Sequence, residues 1–258
     1  MIENTVDPEL IPALSAHLLA LADDELLLGH RASEWCGHAP ILEEDIAFAN
    51  LALDEIGHAG LWYGLLAELE NQDRDSYADQ MVFFREPREF RCIQMVELPL
   101  GDWAFSMMRQ YLFDAYELVN LGELSNSQYI SLANVGQKIR KEEIYHHRHT
   151  QAWIKRLGLG TDESNQRLQK ALEDLWPYLG QLFTPSAAHN LVRSGILPDS
   201  GALRSQWNHQ VLPFLTSCGL TLPGEPHLEL DRSQHTPHLK VILAEMQSVA
   251  RMQPEAEW

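Results

Sequence analysis

Two Glu-x-x-His tetrads constrain this chain more than any other feature: Glu55 with His58 in NLALDEIGHAG, and Glu143 with His146 in KIRKEEIYHHRH. On a helix, residues three apart share a face, so each tetrad aims a carboxylate and an imidazole at one point. Another acid precedes each tetrad on what reads as the neighbouring helix. Glu25 lies thirty residues before Glu55, and Asp114 lies twenty-nine before Glu143. That is the span of an antiparallel helical hairpin, read twice. Two hairpins that each bring an acid and a Glu-x-x-His to a common middle form the donor scheme of di-iron and di-manganese carboxylate bundles. Asp24 and Glu117 stand close enough in sequence to replace Glu25 and Asp114, and spacing alone does not choose between them.

The apolar periodicity places these residues on helices. Leu14, Leu18, Leu21, Glu25, Leu28 and Ala32 recur at intervals of three and four, which predicts a helix over residues 11–34 with Glu25 on its apolar stripe. An unpaired charge there is costly; the competing reading makes Asp23, Asp24 and Glu25 a solvated acidic turn. WCGHAP is a turn, and a second helix follows over residues 41–70, its first turn acidic at Glu43, Glu44 and Asp45 as the helix dipole favours. Phe48, Leu51, Glu55, His58, Trp62 and Leu65 line one of its faces. A histidine in that setting is either a metal ligand or a core residue satisfied by a carbonyl.

Residues 71–101 lack strong periodicity and are long for a link between adjacent helices, which suits the single long crossover of a ferritin-like bundle. A third helix is expected over residues 102–124, with Asp102 as N-cap and with Asp114 and Glu117 both able to approach the centre. Ser125 with Gln128 resembles a capping box opening the fourth helix, on which Ile139, Glu143, His146, Thr150 and Trp153 share a face. Glu142, His147 and His149 fall off that face and read as surface residues. Beyond Gly158, three helical patches are expected over residues 163–183, 201–215 and 237–252, with TLPGEPHLELD as a loop and Pro177 ending or kinking the first. The expected fold is all-α: one ferritin-like domain over residues 1–258, its bundle core at about 11–157 and a helical extension over about 158–258.

Composition narrows the function. With 19 basic against 37 acidic residues the formal charge is −18, which argues against nucleic acid or anionic membranes as partners. Cys36, Cys92 and Cys218 are scattered and odd in number, fitting a reducing compartment rather than a disulfide frame or a zinc site. MIENTVDPEL lacks the features of a signal peptide, and no run of eighteen apolar residues occurs, so a cytoplasmic protein without a membrane span is expected. Four carboxylates and two imidazoles could hold two iron or manganese ions. No P-loop, nucleophile elbow or dinucleotide fingerprint competes for the chemistry.

Four stretches carry a family resemblance: GHRASEWCGHAPILEEDIAFANLALDEIGHA, RQYLFDAYELVNL, WIKRLGLGTDES and LAEMQSVARMQPEAEW. They resemble the C-type subunits of phenylacetyl-CoA epoxidase complexes over nearly the whole chain. The resemblance implies a ferritin-like fold and a role in aerobic phenylacetate catabolism, pairing with an A-type subunit that carries the di-iron centre. It also implies that NADPH, with flavin and iron–sulfur groups, acts only through a separate reductase. C-type subunits are regarded as structural homologues that lost their metal, yet this sequence departs from that pattern. The A-type arrangement of a Glu, then DExGH, then an Asp, then KEExxH is matched by Glu25, Glu55 and His58, Asp114, and Glu143 and His146, which favours Asp114 over Glu117. The catalytic subunit has a Lys one turn before its helix-two glutamate, where this chain has Leu51. The expected role is therefore a subunit, in a homo- or hetero-oligomer, that supports ring epoxidation in its partner and has its own metal ligands. A stand-alone di-metal oxidase and a metal-free scaffold are the alternatives.

Overall fold

The structure is a computed structural model and describes residues 6–184, 189–224, 231–254 and 256, apart from the side chain of Asp75. Among the described residues it is helical throughout, without a strand. Four long helices carry the candidate donors: α1 (Ile11–Ser33), α2 (Leu42–Leu69), α5 (Trp103–Leu124) and α6 (Ile130–Gly158). Short helices α3 (Arg74–Asp79) and α4 (Gln94–Glu97) lie in the crossover between α2 and α5. After α6 come α7 (Asp162–Leu175), α8 (His189–Arg193), α9 (Ser200–Ser217), α10 (Pro237–Met246) and α11 (Ser248–Met252).

α1 packs on α2, and α5 on α6, so the hairpin expected from sequence appears twice. α2 and α6 run antiparallel: Asp54, His58 and Glu44 of α2 meet His146, Glu142 and His149 of α6 in reverse order. α7 and α9 lie against α5, and one apolar core runs from Leu14 and Leu18 of α1 through Met107 and Leu112 of α5 to Leu168, Trp207 and Leu239 of the later helices. Gly29 sets how closely α1 approaches α2. A Cβ there would stand 2.9 Å from that of Glu55 and 3.0 Å from the Ile56 side chain.

Local signals explain most boundaries. Asp102 caps α5, its carboxylate accepting the Phe105 N–H at 2.9 Å. Thr161 and Ser164 form a capping box at the start of α7, and Pro177 converts its far end into a 3₁₀ stretch, Trp176–Phe183. The capping box expected at Ser125 and Gln128 does not form. The Ser125 hydroxyl instead closes α5 on the Leu121 carbonyl, and the Gln128 N–H donates to the carbonyl of Gly195, a turn residue at φ 72°. With the first donor turned back onto α5 and the second engaged by the extension, α6 begins only at Ile130. The helix expected over 237–252 is split at Gln247, whose amide donates to the carbonyls of Val82 and Arg85 in the crossover. Most of TLPGEPHLELD, and residues 1–5, fall outside the described residues.

The crossover is held to α1 by two acids. Asp23, Asp24 and Glu25 are all buried, so the solvated acidic turn is excluded. The Asp23 carboxylate accepts the Tyr63 hydroxyl (2.5 Å), the Arg91 backbone N–H (2.7 Å) and both terminal nitrogens of Arg85. Arg85 also stacks 4.0 Å from the Phe90 ring centroid. Asp24 accepts the Ile93 N–H (2.7 Å) and pairs with Arg232 (2.6 Å), which ties the C-terminal segment to the same turn. A further buried acid, Glu97, receives the Thr236 N–H and faces His235, both at 2.6 Å.

Truncating one partner of such a pair leaves the other charge stranded. Asp23→Ala is expected to destabilise the fold by about 3–5 kcal/mol, read as a lower urea midpoint at unchanged slope. A loss below about 1 kcal/mol, as for an exposed pair, would contradict the anchoring role.

Candidate metal centre

Glu25 from α1, Glu55 and His58 from α2, Asp114 from α5, and Glu143 and His146 from α6 converge between the four long helices. All are buried, the most exposed being His146 at 6%. Two overlapping groups of donors result. One donor atom each from Glu25, Glu55 and His58 lies within 4.8 Å of the others, and the same holds for Glu55, Glu143 and His146. Glu55 belongs to both groups, and the two imidazole centroids are 5.9 Å apart. Nδ1 of His58 faces Glu55 Oε2 at 3.5 Å, Glu143 Oε1 at 3.6 Å and Glu25 Oε2 at 3.8 Å. Nδ1 of His146 lies 2.7 Å from Glu143 Oε1 and 3.6 Å from Glu55 Oε1.

The outer nitrogen of each imidazole is held by an acid from the other tetrad's helix. His58 Nε2 lies 2.7 Å from Glu142 of α6, and His146 Nε2 lies 3.2 Å from Asp54 of α2. Each acid immediately precedes the tetrad glutamate of its own helix. A carboxylate at Nε2 keeps a proton there and turns Nδ1 inward, the orientation a ligating histidine needs. Glu142 is thus corrected from a plain surface residue. Its side chain is half exposed, but its carboxylate serves the buried imidazole of the next helix. His147 and His149 are only half-buried: one stacks on Tyr111, and the other faces Glu44 at 2.9 Å.

Both α5 acids are buried in the centre. Asp114 accepts from Gln110 Nε2 (2.8 Å) and Thr150 Oγ1 (2.7 Å), and Gln110 also reaches Glu55 Oε1 at 2.7 Å. Glu117, one turn on, lies against Glu25. The Trp62 indole N–H approaches the other face of Glu25 at 3.4 Å. Five buried atoms here have no hydrogen-bond partner: Glu25 Oε2, Glu55 Oε2, His58 Nδ1, Glu117 Oε2 and Glu143 Oε2. Unsatisfied polar atoms in a dry interior are costly, and a cation is what would satisfy this set. Carboxylate oxygens with imidazole nitrogens suit iron or manganese in both size and hardness.

The charge balance points the same way. Burial, then repulsion from Glu55, raises Glu25 and Glu143 above the usual carboxylate range; burial with repulsion from neighbouring acids raises Glu117 and Asp114 well above it. Burial opposes charge on His58, but Glu55, Glu143 and Glu117 outweigh it and push the imidazole up to about 9. His146 is raised in the same way by Glu143 and Glu55, while Glu55, between two imidazoles, is lowered despite its burial. The centre therefore attracts positive charge, as a cation or as protons.

The six residues singled out from the sequence meet here together with Glu117, which the sequence offered as an alternative to Asp114, and Thr150 lies on the α6 face expected for it. Three residues around them were missed: Asp54, Glu142 and Gln110. The signal for the first two was the acid preceding each tetrad glutamate, DE and EE. For Gln110 it was a polar residue one turn before Asp114 on an otherwise apolar stripe.

A helical bundle with two Glu-x-x-His tetrads and their carboxylates in its core defines a ferritin-like protein. A family model described as phenylacetic acid catabolic protein matches residues 3–258, and the chain belongs to that family. It is similar to the C-type subunit of 1,2-phenylacetyl-CoA epoxidase from Escherichia coli (strain K12), at 37% identity over 248 residues, covering 95% of this chain and 99% of that one. It is also similar to the A-type subunit of the same organism's 1,2-phenylacetyl-CoA epoxidase, at 26% identity over 203 residues, 76% and 64% of the two chains.

The raised histidine gives a pH dependence. A group that binds its proton more tightly when folded contributes stability below its unfolded value and loses it as pH rises through the folded one. For His58 that window runs from 6.5 to about 9, and the raised acids act in the same direction. In chelator, the thermal midpoint is expected to fall across that range; a flat or rising midpoint would contradict the charge balance described.

Proposed function

We propose that this chain is the C-type component of a phenylacetyl-CoA oxygenase. It pairs with an A-type catalytic partner and supports conversion of the thioester's aromatic ring to the 1,2-epoxide. The carrying observation is the 37% identity to a C-type epoxidase component along almost the full length of both chains. The burial of every centre residue supports placing the ring chemistry in the partner: a bulky thioester reaches none of those donor atoms in this conformation. Leu51, itself buried, also supports it, because it stands one turn before Glu55 where the resemblance expects a lysine in a catalytic subunit. α2 exposes Leu42, Ile46, Leu53 and Ile56, an apolar row that suits contact with a partner chain. No helix among the described residues is long and apolar enough to cross a membrane. All three cysteines are free, which supports a place in the reducing cytoplasm.

In this reading Glu25, Glu55, His58, Asp114, Glu143 and His146 hold two iron or manganese ions, with Asp54 and Glu142 orienting the imidazoles. Two such ions, when bound, supply the one-electron and dioxygen chemistry that side chains lack. The protein's own part is to keep water out, fix each Nδ1 inward and balance the buried charge. The completeness of this donor set favours a second reading, a stand-alone di-metal oxidase.

Co-expression with an A-type partner separates the two. The chain is expected to elute with that partner, and NADPH-dependent epoxide formation, with the reductase supplied, is expected only when both are present. A solitary homo-oligomer that oxidises substrate unaided would sink the first reading. The double variant Glu55→Ala, Glu143→Ala is expected to lose bound metal yet still co-elute; stoichiometric metal in it would refute the donor set.

A further inference from the structure

The two halves of the centre are not equivalent. Around Glu143 and His146, nearly every donor already has a hydrogen bond. Both Asp114 oxygens are taken, by Gln110 and Thr150, and Glu143 Oε1 holds His146 Nδ1 at 2.7 Å. The Gln110 amide bridges Glu55 and Asp114 at 2.7 and 2.8 Å, the pair of carboxylates that a cation in this half would join. An amide NH₂ has two protons to donate and no lone pair to give a metal, so it occupies the place between them as a neutral substitute.

The other half is open. Glu25 Oε2, Glu55 Oε2 and His58 Nδ1 are buried, lie close together and lack hydrogen-bond partners, and Glu117, which reaches this half against Glu25, brings a fourth unsatisfied oxygen, Oε2, from α5. Four of the centre's five orphaned atoms therefore belong to this half. Asp114 and Glu117, three apart on α5, send one carboxylate to each half.

We propose that the chain binds one divalent cation tightly at Glu25, Glu55, His58 and Glu117, and that Gln110 keeps the second half closed to all but weak binding. Glu117 is then a ligand in addition to the six, and Gln110 a positioning residue that sets the stoichiometry. This inference rests on the reading that the centre binds metal at all.

Titration of the chelator-stripped full chain with Mn(II), followed by calorimetry and electron paramagnetic resonance, tests it. The unaltered chain is expected to show one tight site with an uncoupled six-line signal and a second site at least about tenfold weaker. Glu117→Gln is expected to weaken the tight site by at least about tenfold, while Asp114→Asn leaves it unchanged. Gln110→Ala is expected to raise the second affinity towards the first and to couple the two spins. Circular dichroism confirms that each variant is folded, and an unfolded Glu117→Gln leaves the other two variants to decide. Two equal, coupled cations in the unaltered chain would overturn the inequality while sparing the metal reading. So would a Gln110→Ala variant still limited to one tight site, or Asp114→Asn losing the first cation. An unaltered chain that takes up no Mn(II) or Fe(II) would overturn both.

Discussion

A carboxylate buried in a protein must be met by a proton, a donor or a cation, and α1 carries three in succession. Asp23, Asp24 and Glu25 leave the helix in different directions, and each is met differently. Asp23 takes Arg85, Tyr63 and a backbone N–H, and Asp24 takes Arg232 and another. These contacts draw the crossover and the C-terminal segment onto the bundle. Glu25 points inward, where it meets His58 and other acids rather than a guanidinium. One turn of one helix thus secures the long connection of the fold and opens the polar centre, so the geometry of the centre depends on the same anchors as the chain's path.

The long helices were legible because their apolar periodicity, acidic starts and caps all agree. Glu55, His58, Glu143 and His146 were legible because a three-residue spacing on a helix fixes direction; Glu25 followed from its place on an apolar stripe, and Asp114 was preferred to Glu117 only through the family resemblance. Other features were not, for identifiable reasons. Glu142 lies to the side on its own helical wheel, and only the antiparallel approach of α2 gives it His58 as a partner; a single helix carries no record of its neighbour. Ser125 and Gln128 fit a capping box locally, but the turn at Gly195, far away in sequence, claims the backbone donor. A solvated turn at Asp23 and Asp24 stayed open as an alternative because their guanidinium partners lie about 60 and 200 residues downstream.

The resemblance stated from the motifs and the family membership agree, and both point to a chain that works beside another of related fold. Against that background the retained donors are informative. A purely structural subunit has no need of carboxylates crowded until burial and mutual repulsion raise their affinity for protons. Gln110 and Thr150 relieve part of that crowding with neutral hydrogen bonds, a partial solution reached on one side of the centre only.

The exchange of acids between α2 and α6 has a further consequence. Each helix supplies the brace for the other's imidazole, so the two tetrads are interlocked like the fingers of clasped hands. A lineage losing Asp54 would loosen His146 rather than its own His58, and losing Glu142 would do the reverse. Decay of this centre would therefore travel across the pair of helices instead of staying on one, and a chain shedding its donors would tend to shed them from both sides together.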